Sequence, residues 1–97
     1  MNLLKIPLTK GSQRFSVGLS GKLYHFSIIW RGMWILDIFD QDEKPLVCGI
    51  AMVPNTRLLQ QHQHIFDGDL ILEETADHEY PTYESMGSTL NLYYVED

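Results

Sequence analysis

The sequence predicts an all-β fold, a small single-domain antiparallel sandwich or barrel of five to seven strands with at most one short helical turn. Three observations predict it. Apolar residues recur at every second position through much of the chain, the rhythm of strands that bury one face. Short polar, glycine- or proline-containing stretches separate these runs, as turns separate hairpin-connected strands. The length of 97 residues leaves room for one domain, residues 1–97, and no second one. A chain of that size buries about 60–65% of the surface its unfolded form exposes, enough for one core but not for a deep active-site cleft as well.

The first strand reads from Arg14 to Ser20, with Phe15, Val17 and Leu19 on one face and Ser16, Gly18 and Ser20 on the other. Ser20-Gly21 is a tight hairpin turn, because glycine adopts the positive φ such turns use. The second strand, Lys22 to Trp30, places Tyr24, Phe26, Ile28 and Trp30 together. Arg31-Gly32-Met33 forms the next turn. The strand Trp34 to Asp40 follows, with Trp34, Leu36 and Ile38 on one side and Ile35, Asp37 and Phe39 on the other. Gln41 to Pro45 is a polar loop, with Pro45 at its edge because proline offers no ladder donor. The nearly unbroken apolar run Leu46 to Val53 reads as a central strand, with Gly49 at a bulge or crowded point. Asn55 or Thr56 is placed to cap a helical turn through Arg57 to Gln61, too short to stand alone. Gly68 precedes a strand from Asp69 to Glu74, and Thr75 to Ser85 is a polar loop. The last strand is Ser88 to Val95, with Leu90, Leu92 and Tyr94 alternating against Asn91, Tyr93 and Val95.

Charge narrows the function. Seven basic against thirteen acidic side chains give a net charge of −6, with no Lys/Arg cluster. Nucleic-acid binding requires a basic footprint, so no nucleic-acid partner is expected. The same charge repels an anionic membrane surface. Met1 to Pro7 is too short and interrupted for a signal peptide, and no apolar run approaches the roughly 20 residues of a membrane span. The expected setting is the cytoplasm. The one cysteine, Cys48, excludes an intramolecular disulfide. Lying within Leu46-Val47-Cys48-Gly49-Ile50, it reads as a buried, inert thiol.

No residue set commits the chain to chemistry, and neither a cofactor nor a metal is expected. His62-Gln63-His64 is the one metal-like spacing: in an extended segment both imidazoles point the same way. Asp77, His78 and Glu79 are the available further ligands, but a polar loop with two exposed histidines accounts for the pattern more simply. Asp37, Asp40, Asp42 and Glu43 lack the glycine and final glutamate of an EF-hand and read as a solvated turn, as does Asp67-Gly68-Asp69. There is neither a Gly-x-Ser-x-Gly elbow nor a glycine-rich phosphate loop, so the chain is read as not an enzyme. Trp30, Trp34 and Tyr94 fall on inward faces and read as core. Tyr80 and Tyr83, in a polar loop beside Pro81, suit a protein interface, since tyrosine joins a large apolar area to a polar tip.

The ordered pieces resemble a known family. They are Phe15-x-Val17-x-Leu19, Tyr24-His25-Phe26-x-Ile28-x-Trp30, Trp34-x-Leu36-Asp37-Ile38-x-Asp40, Pro45-Leu46, Gly49-Ile50-x-Met52-Val53-Pro54, Leu58-Leu59, Tyr83-x-x-Met86-Gly87 and Leu90-x-Leu92-Tyr93-Tyr94-Val95. Together, from about residue 13 to the end, they resemble the small baseplate plug family of contractile-tailed bacteriophages, cyanophage-like and Mu-like. Family members often carry Asp-x-Asp-Gly at the third hairpin, where this chain has Asp40-x-Asp42-Glu43-Lys44, and the glycine-rich region before the final loop is reduced to Gly68. The resemblance implies a virion structural part in the tail baseplate, made in the host cytoplasm. It would plug or line the central hub through contacts with hub and tube-initiator proteins, and a homo-oligomer within the assembly is compatible with it. The residues expected at that interface are Leu58, Leu59, Tyr80, Tyr83 and Met86. The alternative readings are a small ligand- or carbohydrate-binding β module, a metal-dependent protein using His62 and His64, and an enzyme of unassigned type.

Overall fold

The computed structural model describes residues 2–55, 57–59, 68–76 and 81–96. In chain order its strands are β1 (Asn2–Ile6), β2 (Gln13–Leu19), β3 (Lys22–Trp30), β4 (Trp34–Phe39), β5 (Pro45–Ala51), β6 (Asp69–Glu74) and β7 (Leu90–Glu96). They form two antiparallel sheets, one ordered β2-β3-β4-β5 and the other β1-β7-β6. The fold is a two-sheet sandwich, as the alternation predicts.

The four-stranded sheet is a meander whose register follows the apolar rhythm. Leu19 pairs with Lys22 across the two-residue turn Ser20-Gly21, and Trp30 pairs with Trp34 across the next. In that register Phe15, Phe26 and Ile38 share the inner face, and so do Ile28 and Leu36. Phe26, Ile28, Leu36 and Ile38 are wholly buried. On the outer face the Arg14 guanidinium lies 4.9 Å from the centre of the Phe39 ring and donates to Glu43 Oε1 at 2.8 Å. Both partners are exposed, so this pair adds little stability.

β5 departs from the expectation. It is an edge strand rather than a central one, and only Val47 and Ile50 are buried in it. The reason is a bulge. Val47 faces Ile38 and Ile50 faces Leu36, so Cys48 and Gly49 together oppose Asp37. Gly49 takes φ +75° there and donates its N–H to Asp37 Oδ1 at 2.7 Å. The extra residue turns Cys48 outward, so this thiol is exposed and not buried. Partial desolvation and the nearby Asp37 carboxylate push the Cys48 thiol up from its ordinary value, which keeps it protonated and a poor nucleophile.

In the three-stranded sheet β7 is central. Leu92 and Tyr94 lie in register with Leu72 and Leu70 of β6, and Leu92 also pairs with Ile6 of β1. All five are buried against the first sheet. The Ser20 and Tyr94 hydroxyls share a 2.6 Å hydrogen bond that ties the two sheets together. After β5 the chain crosses between sheets. Met52 N–H donates to Trp34 O at 3.0 Å, then Asn55 N–H to Leu72 O at 2.6 Å and Leu58 N–H to Leu70 O at 2.8 Å. Arg57 forms a bridge with Ile71, so Asn55, Arg57 and Leu58 lie along the edge of β6. The helical turn expected through Arg57 to Gln61 falls in part outside the described residues, which leave out Thr56, Gln60 and Gln61. The helical turn among the described residues is a 3-10 turn at Tyr83–Ser85, inside a segment expected to be loop.

Gly87 joins that turn to the first sheet's entry. It has φ +74°, and a Cβ there would stand 2.6 Å from Lys10 N and 2.7 Å from Thr9 C, both backbone atoms. Gly87→Ala is therefore expected to destabilise by more than about 1 kcal/mol, because a left-handed backbone and a clash with main chain add together. Urea unfolding of the variant should show a lower midpoint with an unchanged slope.

Candidate functional site

Trp30 and Trp34 face each other across the β3–β4 hairpin because the three-residue turn puts them in register. Their rings meet edge to face at 5.1 Å. Tyr83 comes from the 3-10 turn far along the chain. It stacks on Trp34 at 5.5 Å with 20° between planes, and meets Trp30 edge-on at 5.7 Å. Trp34 Nε1–H donates to Thr82 O at 3.0 Å, which fixes the turn against the hairpin. Ser85 braces the turn from inside: Thr82 N–H donates to Ser85 Oγ at 3.0 Å, and Ser85 N–H to Thr82 O at 3.1 Å. Tyr83 is 48% exposed, yet its ring is held by two neighbours and a pinned backbone. A rigid, half-exposed aromatic loses little entropy when a partner covers it.

Two clefts flank this face. One, of about 450 Å³, is lined by Gly32, Met33, Trp34, Met52, Val53 and Pro81. The other, of about 310 Å³, is lined by Lys10, Gly11, Tyr83, Glu84 and Met86. The first is walled mainly by apolar side chains, with Met33 exposed at its mouth. Methionine adapts its shape to what it meets.

The expected interface residues separate in the structure. Tyr83 is exposed as anticipated. Leu58 is half-buried and packs on the core beside β6. Leu59 and Met86 are buried at 0% and 1% exposure, which corrects the expectation that they present apolar surface. Leu59 is drawn in because its N–H reaches the buried Asp69. Met86 is drawn in by the turn that points Tyr83 outward. Tyr80 lies outside the described residues, as do His62, His64, Asp67, Asp77, His78 and Glu79. Met33, Met52, Val53 and Pro81 drew no functional reading from the sequence. The signal available was the Trp-Arg-Gly-Met-Trp hairpin, whose turn necessarily exposes Met33.

Asp40 and Asp69 hold backbone groups of the fold. Asp40 Oδ1 accepts from Asp42 N–H and Lys44 N–H, both at 2.9 Å, closing the β4–β5 loop. Asp69 does not sit in a solvated turn but is wholly buried in β6. Its Oδ1 accepts from Leu59 N–H at 2.9 Å and Leu70 N–H at 2.8 Å, and Oδ2 lies 3.8 Å from Arg57 Nη1. Among the described residues no group of three or more His, Cys, Asp or Glu side chains converges as a metal site would need.

Fold and site together define a small β-sandwich with a braced aromatic face on its surface. The chain matches, over residues 3–97, the family described as "Cyanophage baseplate Pam3 plug gp18", and it belongs to that family of structural phage baseplate components. The match takes in β1, which the sequence resemblance from residue 13 left out. No curated protein matches the chain.

Proposed function

We propose that this chain is a non-catalytic plug at the hub of the phage tail, held there by protein–protein contacts through its Trp30–Trp34–Tyr83 face. The family supplies the setting, the virion tail baseplate. The observation that carries the contact surface is the Tyr83 ring, 48% exposed but stacked on Trp34 beside an apolar cleft. Anchors of this kind, an aromatic next to a pocket, concentrate binding energy in protein interfaces. The partners of this reading are the hub and tube-initiator proteins, and the plug keeps the channel closed until contraction. Leu58 extends the surface only so far as its half-exposed side chain allows.

The test is complementation of a phage that lacks the gene. Wild-type protein restores infectious tails. Met33→Glu, which sets a charge at the mouth of the apolar cleft without touching the core, is expected to cut incorporation into tails at least tenfold while the purified variant unfolds at the wild-type temperature. Normal tails from the deletion phage, or full incorporation of the variant, would remove this reading.

A further inference from the structure

The sheet edges of this protein are treated unequally. β5 carries Pro45 and the Cys48-Gly49 bulge, β6 is lined by Asn55, Arg57 and Leu58, and β2 presents Gln13, Arg14 and Ser16. Each of these devices discourages pairing with another chain. β1 has none of them. It pairs residue for residue with β7 without a register shift, and exposes Leu3 at 60% and Leu4 at 51%. Leu4 is the anomaly: it lies in register with Tyr94 and Leu70, both buried, so it continues the core-facing row of its sheet into open solvent.

We infer that β1 is a self-pairing edge, on which two copies of this chain align β1 antiparallel to β1 about a two-fold axis at Leu4. The three-stranded sheets then join into one six-stranded sheet (three strands from each copy). The occupant follows from the strand itself. In the one register that pairs all of Asn2–Ile6, Leu4 opposes Leu4, Leu3 opposes Lys5 and Asn2 opposes Ile6. The only charge in the strand therefore meets an aliphatic chain, not its own copy, and Lys5 lays its stem along Leu3. The net charge of −6 is carried elsewhere, because β1 has no acidic residue. One strand-to-strand seam falls short of the ~1,200 Å² of a standard stable interface, so the pair is reversible and forms at high local concentration. This inference does not depend on the docking of the aromatic face.

The experiment is sedimentation of the full chain across concentration and salt. The dimer fraction is expected to rise with concentration and to rise further with added salt, which screens the repulsion between two copies of net charge −6. Leu4→Lys places two cations opposite each other and is expected to weaken association at least tenfold, while circular dichroism and the unfolding temperature stay near wild type because Leu4 is half-exposed. Leu4→Glu alone does the same, and an equimolar mixture of the two variants is expected to recover association, since the two-fold sets Lys opposite Glu. A chain that stays monomeric at every concentration and salt overturns the inference and leaves the edge to a strand of a different protein. A dimer undiminished by Leu4→Lys, or two variants that fail to associate when mixed, overturns it too.

Discussion

Replacing Trp34 with alanine is expected to remove about 4 kcal/mol of stability, the largest single effect in the molecule. Trp34 is the largest wholly buried side chain among the described residues. It holds Trp30 edge-on, lies under the Tyr83 ring and donates to Thr82 O. Truncation leaves a cavity at the end of the core, removes one of the two donors to Thr82 O and loosens the turn that carries Tyr83. For a domain of this size, with total stability of about 5–15 kcal/mol, that is a large share. The unfolding midpoint should fall by roughly 15–30 °C, at about 4–8 °C per kcal/mol. Trp34→Phe should lose about half as much, because it retains most of the apolar area and loses the N–H. Calorimetry of both variants checks the ordering. Equal losses would mean that the hydrogen bond to Thr82, and not the packing, dominates.

Asp69→Ala is expected to cost about 3 kcal/mol through a different mechanism. Its carboxylate is wholly buried and accepts from two backbone N–H groups, Leu59 and Leu70. Removing it leaves both donors without an acceptor and takes the counter-charge from Arg57, which lies 3.8 Å away. Unsatisfied buried donors cost about 1–3 kcal/mol each, softened where water can reach them. Asp69→Asn keeps one acceptor oxygen and should recover a third to a half of the loss, about 1–1.5 kcal/mol. Urea titrations of the three proteins read this directly. Amide exchange at Leu59 should also accelerate in Asp69→Ala well beyond the global change, because its N–H loses its acceptor.

What sequence reading reached, and what it missed, has a physical boundary. β2, β3 and β4 are legible because each buries one face and the turns between them have two or three residues, so alternation and punctuation agree. Lys22–Trp30 and Asp69–Glu74 match their strands end to end. β1 left no such trace. Leu3 and Leu4 are adjacent, Asn2 stands on the face of Leu4 and Ile6, and five residues are too few for a period of two to emerge from Asn2–Ile6. β5 misled for the opposite reason. Its apolar run implies two buried faces, but the bulge held by Asp37 and Gly49 breaks the alternation, so Cys48 swings outward while Val47 and Ile50 stay inside.

The site divides along the same line. The exposure of Tyr83 was legible from its polar surroundings and the nearby Pro81. Its stacking on Trp34 was not, because the two residues meet only through tertiary structure. Leu59 and Met86 look like surface residues in sequence, yet a backbone hydrogen bond to a buried carboxylate claims one and the inner side of a turn claims the other. Asp69 itself resembles half of a turn, and only the sheet register shows that it lies inside.

The most direct measurement is a cryo-electron microscopy reconstruction of intact tails. The account predicts density for this two-sheet sandwich at the baseplate hub, with another protein's chain packed over Tyr83 and into the cleft beside Met33 and Trp34. A baseplate that contains the sandwich with Tyr83 and that cleft facing open solvent, or a complete baseplate without the sandwich, would contradict it.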